Sequence, residues 1–557
     1  MTEVASAPLH GARRGTWRSE AWRWTPLAFA ALYAVVLVAT LPSIVAAIYR
    51  NADVAAAPEI GQLSAKAPDF AQTILGNAPW YSALWFEQLT RWVPGHRTLW
   101  ELAPWVLTLA GIGLVAWATA RIAGWWAAAI IAATCACAGA TLLPLQFAWS
   151  IHAVAYAHIC VLGAFIVTLT LTSGRGRWWA QGAVAGLVVL VTGVGMASDK
   201  LVILGGLVPF AIAGLVLWRL AAPRAALPIL ASVIAVVIGA SVVAVLARAT
   251  AHSQNVVPAP FPISLSAVGR LAGHVLDLVG SLGVLANGDF GSPGVSVTGL
   301  LALLAACGGA VLLVAAVSHA GVVVAGLATA VRARPTPTPT PEAIARSAFV
   351  CYWAAVAVLL GAAFVFTSLP RGLTTSRYLV PAGYAVVVIA AVGAARSQAS
   401  WRAMAVAGAS SAIILAAAVS LAQRHIQDTA YAPGHDTAAQ LARFAEREHL
   451  GTGYAGYWDA SALSWEMHDP RVTVYPVITC GSSLCPFPYH KINTWYLPRP
   501  LARSFFVVDA RLLRLRAYGA LSGAPAAWGR PSQVAHLGPL TVYVYPYNLA
   551  AKLLPTA

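Results

Sequence analysis

Apolar runs of about twenty residues, separated by short polar turns, dominate this sequence, and about twenty apolar residues is what a helix needs to cross a bilayer core. Eleven such runs lie near 26–49, 101–120, 123–143, 154–172, 178–197, 200–218, 226–247, 298–318, 348–367, 379–395 and 403–422. They predict an all-α polytopic membrane protein of about 11 transmembrane helices. The first run follows a basic tail, HGARRGTWRSEAWRW, but is too long for a signal-peptide core and has no convincing cleavage site, so it is expected to stay as a span.

Composition agrees. The chain is 59% hydrophobic and only 10% charged, where a soluble domain carries about a quarter charged residues. The net charge of +16 does not point to nucleic acid, because no basic helix or aromatic-interleaved basic stripe stands out. The basic residues crowd instead into short turns: Arg121; Arg175 and Arg177; Arg219 and Arg224; Arg332, Arg334 and Arg346; Arg396 and Arg402. With Arg13, Arg14, Arg18 and Arg23 they mark one side, which the positive-inside rule makes cytoplasmic. The N-terminus is then inside and the C-terminus outside. Segment 298–331 is long enough to hide a second span, which would invert everything after it; one span with an interfacial tail keeps Arg332 and Arg334 inside.

The expected organisation is a basic tail over 1–25, a transmembrane module over 26–422 and an extracytoplasmic α/β domain over 423–557. Within the module, 332–347 is a cytoplasmic linker, because the alternating prolines of RPTPTPTPE favour polyproline geometry. Two large outer segments, 50–100 and 248–297, exceed simple turns and are of the length that carries function. In the C-terminal domain, capping-box spacing at 437–440 and the stripe Leu441, Phe444 and Ala445 predict a helix, and VTVYPV, SFFVVDA and LTVYVYPY predict strands.

Of seven cysteines, Cys135, Cys137, Cys160, Cys307 and Cys351 lie within apolar runs as small core residues. Cys480 and Cys485 sit in the polar stretch CGSSLC, where an oxidising compartment favours a disulfide.

Asp53, in YRNADVAAAPEIGQL directly after the first span, is the sharpest candidate for chemistry. A carboxylate at the outer mouth of a bundle can take the proton of an acceptor hydroxyl; Asp before an Ala-rich stretch is equally a helix cap. The stretch from Ala52 to Leu63 fits an amphipathic helix lying along the interface, and WYSALWFEQLTRWV (80–93) has the Trp-rich pattern of a second one. Asp69 is a second acid or a solvated loop residue. Asp199 and Lys200, in MASDKLVIL, are ionisable groups at membrane depth or an ordinary charged turn. Arg371 and Arg377, in LPRGLTTSRYLVP, run against the positive-inside bias, which suits a phosphate partner as well as it suits headgroup snorkelling. Tyr378 beside them is an interfacial anchor or a hydrogen-bond donor. His152 and His158 flank an outer turn with no acidic neighbour in sequence, so no metal site is indicated. Arg270, His274 and Asp277 share a helical face that an exposed polar surface explains.

A first span, a large outer loop with an early Asp and two interfacial helices, many spans and an extracytoplasmic C-terminal domain resemble the C-type (GT-C) glycosyltransferases. The resemblance is greatest to the branch of protein mannosyltransferases, aminoarabinose transferases and actinobacterial arabinofuranosyltransferases. Asp53 in NADVA is similar in position to the family's catalytic Asp, although Val54 replaces the second acid of the common pair. SRYLVP (376–381) is similar to the late Arg-Tyr-Leu-x-Pro segment, and GYAGYWDASALSWE to C-terminal sequences of actinobacterial members. The resemblance implies sugar transfer from a polyprenyl-phosphate donor to a glycan, lipid or protein acceptor. It makes Asp53 the base and Arg377, Lys200 and Arg371 candidate phosphate ligands. No nucleotide fingerprint occurs, no cofactor is required, and nothing indicates a divalent cation. A secondary transporter or flippase is the alternative, but the runs are nearly charge-free and show no evident repeat; a non-catalytic envelope scaffold is the third reading.

The orientation is checked by cysteine labelling in intact cells. A cysteine introduced at position 435 is expected to react with an impermeant reagent from outside, and labelling from the cytoplasmic side alone overturns the topology.

Overall fold

The computed structural model describes residues 21–46, 54–56, 58–60, 73–74, 86–87, 89–90, 92–147, 152–172, 178–220, 223–250, 264–288, 296–332, 340–369, 373–397, 399–423, 435–467, 469, 471–480, 483–488, 490–498, 503–511, 513, 521, 523 and 528–554. The apolar runs fold as helices, which satisfy most of their backbone hydrogen bonds within one segment, as hydrocarbon requires. They are α1 (Thr25–Ala46), α2 (His96–Ala123), α3 (Trp125–Cys137), α4 (Ala153–Thr172), α5 (Trp178–Ser198), α6 (Val208–Arg219) and α7 (Pro223–Thr250). After these come α8 (Leu271–Leu285), α9 (Val297–Arg332), α10 (Pro341–Phe366), α11 (Val380–Arg396) and α12 (Ser400–Ala422).

Each of the eleven predicted segments coincides with a helix. Among the described residues nine helices are long and apolar enough to cross a membrane, while Trp125–Cys137, Ala185–Ser198 and Ile203–Arg219 are shorter apolar helices. Segment 298–331 is one continuous helix, α9. Helix α10 begins at Pro341, inside the expected linker, with Thr340 capping it by accepting from the Ala343 N–H at 3.3 Å.

Helix α8 departs from the expectation that 248–297 is an outer segment in which Arg270, His274 and Asp277 share an exposed helical face, for Val268–Leu285 is one of the nine long apolar helices. It starts beside the end of α10, where Ser266 N donates to the Phe366 carbonyl at 2.9 Å, and His274 is buried with Nδ1 2.8 Å from the Val365 carbonyl. It ends against the middle of α12, so it dips into the bundle. Asn287, just past its end, holds a left-handed φ of 61°. Its Oδ1 accepts from Ala140 N at 2.7 Å, and its Nδ2 donates to the carbonyls of Cys137 at 2.9 Å and Ile413 at 3.2 Å. One buried amide thereby joins three elements.

Helices α4 and α11 form the centre, whereas α1 turns Val35 and Val38 outward, as a lipid-facing helix does. Close contact needs small residues. A Cβ at Gly111 of α2 would stand 3.0 Å from the Cys160 Cβ of α4. Across the bundle, the Tyr352 hydroxyl of α10 donates to the Ile159 carbonyl of α4 at 2.6 Å.

The C-terminal domain holds α13 (His435–Arg447), α14 (Tyr457–Met467) and a six-stranded sheet in the order β4-β3-β2-β6-β8-β7. The strands are β2 (Thr452–Gly456), β3 (Thr473–Cys480), β4 (Ser483–Pro486), β6 (Ser504–Asp509), β7 (Gln533–Leu537) and β8 (Leu540–Tyr545). β2 runs parallel to β3 and β6, and α14 makes the β2-to-β3 crossover; the remaining pairs are antiparallel. The three predicted strands fall on β3, β6 and β8, and Leu441, Phe444 and Ala445 of α13 are buried against the sheet. Cys480 and Cys485 form the expected disulfide across the β3–β4 hairpin, with Cα atoms 5.8 Å apart.

Replacing Asn287 tests the three-way joint. Asn287→Gly keeps the left-handed backbone but strands buried polar groups, a loss of about 1–3 kcal/mol. Asn287→Ala adds roughly 1 kcal/mol of backbone strain. Thermal unfolding of the purified protein should rank wild type above Gly above Ala.

Candidate active site at the domain face of the bundle

Helices α4 and α5 form an antiparallel hairpin, so the start of α4 and the end of α5 reach the same face. His152 immediately precedes α4 with a left-handed φ of 74°, and Asp199 immediately follows α5. They meet there, His152 Nδ1 standing 2.5 Å from Asp199 Oδ2. Asp199 is 6% exposed, and its other oxygen accepts from the Leu201 N–H at 2.8 Å, which pins the carboxylate at the entry to the next helical stretch. That stretch opens with a one-turn π segment, Ile203–Leu207. In the neutral imidazole a carboxylate facing Nδ1 favours the proton on that nitrogen and leaves Nε2 as an acceptor.

A third element supplies the remaining groups. The 3-10 segment Leu373–Leu379 leads into α11 and carries Arg377 and Tyr378. The Tyr378 ring lies 4.8 Å from the His152 ring, and the Arg377 guanidinium lies 5.4 Å from the Tyr378 ring. The Tyr156 hydroxyl of α4 donates to the Arg377 carbonyl at 2.7 Å and ties this segment to the hairpin. A carboxylate, an imidazole, a phenol and a guanidinium thus adjoin in sequence along one face.

Of the residues singled out from sequence, the structure brings together Asp199, Arg377 and Tyr378. Lys200 is exposed beside them, while Asp53, Asp69 and Arg371 lie outside the described residues. His152 corrects the sequence reading, for it has an acidic neighbour that lies far away in the chain. His158 does not join the site, since its ring nitrogens face the carbonyls of Val154 at 2.8 Å and Val191 at 3.1 Å. Among the described residues no three His, Cys, Asp or Glu side chains cluster as metal ligands would.

The segment after Asp53 is held between bundle and domain. Val54 is buried with Tyr33 and Ile44 of α1 and with Phe147, and Ala55 and Ala56 pack with Trp100 and Ala103 of α2 and Trp465 of α14. Glu59 is buried facing the hydroxyls of Ser461 and Ser464, and burial pushes its carboxyl up to about 7. Ile60 packs with Ile492 and Trp495 of the domain and with Ala197, two residues before Asp199. A short strand β1 (Thr73–Ile74) of the same segment pairs antiparallel with β5 (Lys491–Ile492). Arg97 adds a charged tie, its Nη2 3.1 Å from Glu466 Oε1 and its Nη1 3.3 Å from the Trp465 carbonyl. Sequence reasoning missed Glu59, Arg97 and Lys491, because their partners belong to another domain.

No family model matches the sequence. No curated protein matches it either. In structure, the chain is similar to ArnT from Cupriavidus metallidurans, whose crystal structure in the apo state covers 95% of this chain and 99% of its own, with a TM-score of 0.55 at 13% identity. This likeness shows the fold alone, and that fold agrees with the one the sequence resemblance implied.

Proposed function

We propose that this chain transfers a sugar from a polyprenyl-phosphate donor to an acceptor hydroxyl on the extracytoplasmic side of the membrane, the acceptor being a cell-envelope glycan, lipid or protein. The observation that carries this reading is the meeting of Asp199, His152, Tyr378 and Arg377 at the face of a GT-C-fold bundle that the C-terminal domain adjoins. A buried carboxylate holding an imidazole, with a guanidinium near by, suits a substrate that carries both hydroxyls and a phosphate.

In this reaction Asp53 accepts the proton of the acceptor hydroxyl as that oxygen attacks the anomeric carbon. The bond from the anomeric carbon to the phosphate oxygen breaks, its electron pair goes to that oxygen, and polyprenyl phosphate leaves. The burial of Val54 supports Asp53 in this role, since it anchors the neighbouring backbone to α1. His152, oriented by Asp199, offers Nε2 to a donor hydroxyl. The leaving phosphate gains negative charge, and Arg377 supplies planar donors matched to its oxygens. Lys200 or Arg371 assists Arg377, and Asp69 is the alternative acid.

Asp53→Asn keeps size and capping ability while removing the proton acceptor. It is expected to insert and fold normally and to transfer sugar about a thousandfold more slowly. Near-normal turnover in a reconstituted assay rejects the assignment and moves it to Asp69 or Asp199.

Arg377→Ala should lower turnover by about a hundredfold, as loss of one oxyanion donor does elsewhere. Arg377→Lys, which keeps charge but not the fork, should fall between Ala and wild type. Unchanged donor affinity and turnover in both variants reduces Arg377 to a surface residue.

A further inference from the structure

Lys491 sits where three parts of the molecule join. Its strand β5 is annealed to β1 of the segment after Asp53, with Ile74 opposite Lys491. The next residue, Ile492, packs in one cluster with Ile60, Trp495 and Ala197, close in sequence to Asp199. The side chain is 3% exposed, and its ammonium stands 5.5 Å over the Tyr496 ring. Among the described residues the ion pairs at this junction are those of Arg97 with Glu101 and Glu466; Glu59, buried on the Tyr496 side, faces Ser461 and Ser464, and no carboxylate pairs with Lys491.

An ammonium buried without a counter-charge costs several kcal/mol that a ring face returns only in small part. Burial alone pulls Lys491 down to about 8, so at neutral pH it remains a cation in a place that disfavours cations. A static structure gains nothing from that arrangement, since a methionine fills the same volume without the cost. An anionic ligand reverses the sign, because it supplies the missing counter-charge inside a desolvated junction.

We propose that Lys491 is a phosphate ligand contributed by the C-terminal domain, which reads the phosphate group of the lipid-linked substrate. This rests on the donor chemistry proposed above and extends it, for the domain then forms part of the binding site and the bundle does not hold the phosphate alone. A compact ammonium acts here as a point charge, complementary to the planar fork of Arg377.

The full-length protein in nanodiscs of neutral lipid tests this. The probes are a long-chain polyprenyl phosphate, the corresponding polyprenol and inorganic phosphate, read by binding and by thermal shift for wild type, Lys491→Met and Lys491→Arg. Wild type is expected to bind polyprenyl phosphate and to prefer it over the polyprenol. Lys491→Met should weaken polyprenyl phosphate at least tenfold, leave polyprenol binding unchanged and melt, without ligand, no lower than wild type. Lys491→Arg should recover most of the affinity. Inorganic phosphate should displace the lipid from wild type at high concentration only. Equal affinity of wild type and Lys491→Met for polyprenyl phosphate overturns the assignment while the donor reading stands. A lower melting temperature for Lys491→Met, with no rescue by Arg, marks a packing role and also overturns it. Tight inorganic phosphate without lipid selectivity assigns the site to free phosphate. If wild type shows no preference for the phosphorylated lipid, the donor reading falls and takes this assignment with it.

Discussion

Backbone polar groups in hydrocarbon have to be satisfied inside the segment that carries them, and this constraint sorts the whole molecule. Within the bundle the chain is helical and the helices meet through small residues, as Gly111 does against Cys160. Irregular backbone concentrates where α4 starts, where α5 ends, after α8 and before α11. At those places side chains do the work that helical hydrogen bonds do elsewhere. Asn287 serves Ala140, Cys137 and Ile413 after α8, and Asp199 serves Leu201 after α5. The candidate site is therefore built from segments freed of the helical pattern, while the helices behind them set their positions.

The second organising feature is the way the chain after α1 is trapped. Val54 belongs to the bundle, Ala55 and Ala56 to a seam between α2 and α14, and Glu59 and Ile60 to the domain. Between Val54 and Ile60 the chain thus passes from one solvent-excluded environment to another, and β1 continues the attachment by joining β5. Because Arg97 also crosses the seam, domain and bundle contact each other by packing, by strand pairing and by charge.

Much of this was legible in the chain. Each of the eleven apolar runs fell on a helix, and α12 and three of the six sheet strands, β3, β6 and β8, fell close to their expected places. Cys480 and Cys485 stood out because their surroundings are polar, and Asp199, Arg377 and Tyr378 because charge and aromatic groups at helix ends need a reason. The antiparallel order of two consecutive spans was enough to bring His152 to Asp199, yet local reading dismissed the histidine for want of an acid beside it. Helix α8 was missed because its charged and histidine residues mimic a loop surface, whereas His274 spends its polarity on the Val365 carbonyl.

The sequence by itself determined that the eleven apolar runs are helices and that Cys480 and Cys485 pair, since each depends on the apolar or polar character of a short stretch. Tertiary structure alone decided that His152 and Asp199, 47 residues apart, form one pair, that Glu59 faces Ser461 and Ser464, and that Lys491 is buried with no acid of the described residues paired to it. The reason is physical. Burial of apolar surface is a sum over neighbouring residues and survives in the one-dimensional pattern, whereas a polar contact is a pairwise distance that exists only once helices and domain have packed.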